Sequence, residues 1–100
     1  MLTKHDIFQT IIDNKEIIKS FGVTEIGLFG SYVRDQQTKE SDIDLLIDYD
    51  IKEINFKKFM SFCFMMDDLF KDIKVEVVTK NGLSPYIGPY ILKEVNYVQI

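Results

Sequence analysis

One hundred residues, 46% hydrophobic and 13% aromatic, suffice for one small domain (residues 1–100) around its own core, with no room for a second domain to hold an acceptor. A net charge of −4 argues against a nucleic-acid backbone as the default partner, because phosphate binding relies on Lys and Arg. The single Cys63 excludes an internal disulfide or a cysteine-rich zinc site, and the longest apolar stretch, Phe62–Met66, is far too short to span a bilayer.

Met1–Asp13 carries Lys4, His5, Asp6 and Asp13 and no apolar signal-peptide core, so a cytoplasmic chain is expected. From Thr3 to Phe21 the apolar residues recur at helical spacing, with Thr3 and Asp6 set as a capping box. Asp13-Asn14 is expected to split this stretch into two helices, the second closing at Gly22. Val23–Phe29 reads as a strand ended by Gly30-Ser31. A short helical turn over Tyr32–Asp35 and a polar loop, Gln36–Ser41, follow. Asp42–Tyr49 alternates, with Ile43, Leu45, Ile47 and Tyr49 on one face and Asp42, Asp44, Leu46 and Asp48 on the other.

Asn55 is the expected cap of a helix over Phe56–Phe70, with Phe56, Phe59, Met60, Cys63, Met66 and Phe70 as its apolar stripe. Lys74–Thr79 reads as a third strand before an Asn81-Gly82 turn. Ser84-Pro85 is expected to open a last helix that Pro89 kinks or shortens, and Asn96–Ile100 to form an edge strand. The fold class is α/β, in the order α-α-β-α-β-α-β-α, a small mixed sheet flanked by helices.

Gly30-Ser31, ten residues and then Asp42-Ile43-Asp44 form the constellation that carries chemistry. Two carboxylates at i and i+2 on a strand share a face with Cα atoms about 6–7 Å apart. Such a pair suits magnesium, which takes one or two carboxylates plus phosphate oxygens, and two ions can serve an in-line displacement at phosphorus. Gly30 lets the backbone approach a triphosphate where a Cβ would collide. Ser31 can offer its hydroxyl and N–H to phosphates at the start of the next turn.

A third carboxylate would complete the metal site or take the acceptor's proton. Glu76 fits because it interrupts the apolar run Val75-Val77-Val78, where an unpaired acid is costly; a solvent-facing strand residue is its bland alternative. Arg34 can contact phosphate, brace Asp42 or form an ordinary salt bridge. Asp48 lies about 13 Å beyond Asp44 along the strand, and with Asp50 it reads as solvated. His5 has no assigned role, and Cys63, Met60, Met65 and Met66 read as core or subunit-contact residues.

The stretch Gly27–Arg34 followed by Ser41–Ile47 resembles the small MNT-type nucleotidyltransferases, which are similar to the catalytic palm of kanamycin nucleotidyltransferase and DNA polymerase β. The resemblance covers nearly the whole chain and implies the polymerase β palm-like fold. It also implies that Gly30 and Ser31 hold the triphosphate of ATP, and that Asp42 and Asp44 bind magnesium. The third family carboxylate, commonly Asp, falls on Glu76. Family members of this size often pair with a helical HEPN ribonuclease toxin, which they adenylylate on tyrosine. The implied activity is thus AMP transfer from ATP to a partner toxin by an antitoxin, as a homo- or hetero-oligomer and away from membranes. The alternatives are an antitoxin that masks its partner by binding alone, or an aminoglycoside-type enzyme with a small acceptor.

Overall fold

The computed structural model describes residues 2–100, so Met1, the first residue of the segment read for a signal peptide, lies outside it. Two helices, α1 (Lys4–Asp13) and α2 (Lys15–Ser20), lead into strand β1 (Val23–Phe29). Strand β2 (Ile43–Tyr49), helix α3 (Phe56–Leu69) and strand β3 (Val75–Thr79) follow. A single 3₁₀ turn (Lys80–Gly82), helix α4 (Gly88–Glu94) and strand β4 (Asn96–Val98) complete the order.

Local signals set most of the boundaries. Thr3 and Asp6 cap each other's backbone in a reciprocal box at the start of α1. The Asn14 amide donates back to the Thr10 carbonyl at 2.8 Å, and the helix breaks there. Gly22, with φ +90°, takes the left-handed turn that ends α2. The Asn55 side chain accepts the Lys58 N–H at 2.8 Å and starts α3.

The sheet order is β3-β2-β1-β4. β1 runs antiparallel to β2 and to β4, whereas β2 and β3 are parallel. Ile43, Leu45 and Ile47 are fully buried on one face with Ile26, Leu28 and Val98. Helices α1–α3 seal that face with Ile7, Ile11, Ile18, Phe62 and Met66. Each such side chain contributes about 1.5–3 kcal/mol on leaving water. Leu46, on the opposite face, is also fully buried.

Four expectations need correction. Residues 31–35 form a turn rather than a helix, closed by the Gln36 N–H on the Ser31 carbonyl at 2.9 Å. Ser84-Pro85 makes a separate turn, and α4 starts at Gly88. Pro89 lies in its first turn, where the missing N–H had no helical partner to lose, and does not kink it. In α3 the stripe is rotated: Phe56 is 79% exposed and Phe62 is buried. No helix among the described residues is long and apolar enough to cross a membrane.

Candidate active site

The end of β1 and the beginnings of β2 and β3 meet at one end of the sheet. Phe29 pairs with Asp44 across the antiparallel ladder, and Asp44 pairs with Glu76 across the parallel one. Directly paired residues project to the same face of a sheet. Register alone therefore sets Asp44 beside Glu76, on the face opposite the core. Asp42 lies one residue before β2 rather than within it.

Charge crowds here. The Asp44 carboxyl is pushed up to about 6, first by burial and then by the charge and hydrogen bonding of Glu76, with Asp42 and Glu94 adding to it. Lys74 partly offsets this: its ammonium is 3.2 Å from Glu76 Oε1. Its pKa is raised by the Glu76 hydrogen bond first, then by the charges of Glu76, Asp42 and Asp44. One flexible ammonium thus stands in the combined field of the three predicted carboxylates. Glu76 is 48% exposed and paired, so the cost of burying an unpaired acid does not explain it; its register opposite Asp44 does.

No three acidic, histidine or cysteine side chains among the described residues form a ready-made cation cage. Magnesium does not need one. It keeps several waters and binds through one or two carboxylates plus phosphate oxygens. The donor set fits such an ion, because Asp44 is destabilised in its charged form and the Lys74 ammonium already occupies the role of counter-cation.

Gly30 follows β1 with φ +83°, a conformation open to glycine at no steric cost. Its carbonyl accepts the Val33 N–H at 3.1 Å and the Arg34 N–H at 3.4 Å, which rolls the chain into a single turn. Tyr32, 2% exposed, anchors that turn in the core. The Ser31 and Tyr32 N–H groups have no partner among the described residues. Free amides at such a turn suit an anion.

Arg34 does not brace Asp42. Its guanidinium pairs with Glu94 and donates from Nε to Gln36 Oε1 at 3.1 Å. Glu94 also accepts the Gly30 N–H at 2.9 Å. Sequence reading missed Glu94, Lys74 and Tyr32. The one local signal for Glu94 was a carboxylate ending a helix, where it opposes the helix dipole by about 0.3–1 kcal/mol.

Asp48 and Asp50 stay outside the site. Asp48 lies opposite Glu25, and Asp50 accepts the Lys52 N–H at 2.9 Å. An open apolar cavity of about 370 Å³, lined by Tyr49, Ile51, Ile54, Phe56, Phe59 and Thr79, lies at the other ends of β2 and β3, away from this chemistry.

Comparison with known proteins bears on this arrangement. The nucleotidyltransferase domain family matches residues 12–98. Protein adenylyltransferase MntA of Thermococcus cleftensis is 38% identical over 100 residues, covering 98% of each chain. A Methanocaldococcus jannaschii chain, provisionally named a protein adenylyltransferase, is 35% identical over 98% of this chain and 100% of its own. Among solved structures, a chain described as a minimal nucleotidyltransferase superposes with a TM-score of 0.69 at 20% identity, covering 89% of this chain and 93% of that one. A toxin–antitoxin structure with AMP-PNP has the same TM-score at 18% identity, over 92% and 72%. At these identities the two structures speak for the fold alone.

Proposed function

The chain belongs to the nucleotidyltransferase domain family and is a nucleotidyltransferase, and from that premise we propose that it transfers AMP from ATP to a protein acceptor. The acceptor is a tyrosine of a HEPN-type ribonuclease toxin, which the transfer neutralises. The observation that carries this reading is the Gly30-Ser31 turn, with its free amides, packed against the acidic end of β2. The protein adenylyltransferase name of its relative supports the reaction. Likeness in fold to the toxin–antitoxin structure with AMP-PNP motivates the choice of nucleotide and of partner.

In this reading the Ser31 hydroxyl and N–H and the Arg34 guanidinium hold the triphosphate, and Gly30 admits it. Asp42, Asp44 and Glu76 hold magnesium, which supplies charge neutralisation at the reacting phosphate oxygens. The acceptor oxygen attacks the α-phosphorus, the bond to pyrophosphate breaks, and the phenolic proton passes to a carboxylate. We assign that last role to Glu76, the most exposed of the three. The open sheet end suits an acceptor carried by a partner, since no element among the described residues folds over it.

The test is the intact mass of the partner after incubation with this protein, ATP and magnesium. Added AMP, absent with an Asp42→Ala/Asp44→Ala double variant, is the expected result; unchanged transfer by that variant sinks the mechanism. Glu76 motivates a second reading, because its carboxylate lies one methylene farther out than an Asp. An antitoxin that masks its partner by binding alone would leave the partner's mass unchanged in a tight complex, and the double variant would still protect cells.

A further inference from the structure

Glu94 ties the C-terminal helix to the glycine turn. One carboxylate oxygen accepts the Gly30 N–H at 2.9 Å and the other pairs with the Arg34 guanidinium. It ends α4, where a negative charge opposes the helix dipole, and its side chain is only 25% exposed. That position favours the charge only because two donors meet it there. Arg34 is in turn held from Nε by Gln36, so two of its donor groups are fixed while its side chain stays 48% exposed. The Ser31 and Tyr32 amides stay free beside it.

We propose that Glu94 is a positioning residue of the triphosphate subsite. It fixes the Gly30 peptide and the Arg34 guanidinium so that Arg34 and the two free amides present one surface to phosphate. This rests on the nucleotidyltransferase reading and adds to it a residue 64 positions from the motif.

The probe is α,β-methylene ATP with magnesium, whose bridge cannot be cleaved by nucleotidyl transfer. Glu94→Gln keeps an acceptor for the Gly30 N–H and removes the charge. It should raise the dissociation constant roughly tenfold, with the KM for ATP following and kcat changing by less than about twofold. Thermal unfolding without nucleotide should not move. In an Arg34→Ala background the same substitution should add little, because the group it positions is gone. Unchanged or tighter binding in Glu94→Gln overturns the inference, tighter binding making the carboxylate a competitor of phosphate. An equal loss without Arg34 also overturns it. Failure of the unsubstituted chain to bind the probe would overturn the nucleotidyltransferase reading itself.

Discussion

The Gly30 backbone lies so close to the Asp44 carboxylate that a β-carbon at residue 30 would overlap Oδ2. The glycine turn and the acidic strand are therefore one packed unit. Gly30→Ala would combine this collision with a φ of +83° and should cost about 1–3 kcal/mol of stability. Displacing Asp44 should lower AMP transfer by roughly 100-fold. Thermal melts and initial rates check the two effects separately, and wild-type rates in a folded variant would contradict the packing.

Asp44 makes the free protein less stable as pH rises. Its folded pKa, about 6, lies above the ordinary 3.8, so the folded state binds the extra proton between these values. Its penalty is absent below about pH 4, grows through the window and is complete above about pH 6. After discounting for the screening of a half-exposed group, about 1 kcal/mol remains. Asp44→Asn should thus be more stable than the parent at pH 7 but not at pH 4, while losing transfer. Denaturant titrations at the two pH values read this directly. Equal effects at both would show that the carboxylate is not strained.

Two phenylalanines six residues apart on α3 should behave as opposites. Phe62 is fully buried and Phe56 is 79% exposed. Phe62→Ala should cost about 3–5 kcal/mol, and Phe56→Ser should stay within about 0.5 kcal/mol. Urea midpoints of the two variants give the comparison; a large loss at Phe56 would place it against something in solution.

Gly27 is pressed by the last strand. A Cβ there would lie 3.0 Å from Tyr97 Cδ1 and closer still to Val95. Gly27→Ala gains about 0.4–1 kcal/mol by restricting the unfolded chain, but crowding of about 1–3 kcal/mol should exceed it. The expected result is lower stability with faster proteolysis after Glu94. A stabilised variant would mean that β4 shifts at little cost.

Thr3, Asn14, Gly22 and Asn55 could be read in sequence because each acts on backbone groups within four residues. The Gly30-Ser31 and Asp42–Asp44 pattern was legible for a related reason: two short segments each bring their own geometry. Phe56 and Phe62 were misassigned because a chain of phenylalanines and methionines satisfies several helical stripes, and only the sheet decides which one faces inward. Glu94 was invisible, because its partners are chosen by tertiary approach, 60 residues away for Arg34, and no periodicity encodes that. Lys74 pairs with Glu76 only two residues on, but its place beside Asp44 follows from the β2–β3 register, which the sequence does not display. Pro89 was misread because its effect depends on where the helix begins.

The pairing of β1 with β4 has a consequence for how the molecule is made. Ile26 faces Val98, and Leu28 faces Asn96, so the strand that leads into Gly30 acquires its outer neighbour only after some seventy further residues. Such distant contacts form late and slowly. On a ribosome, β1 and β2 can pair while the rest is still being added, but the Glu94 link and the β4 edge must wait until residue 98 clears the exit tunnel. Nascent chains should therefore bind nucleotide weakly until β4 closes beside β1.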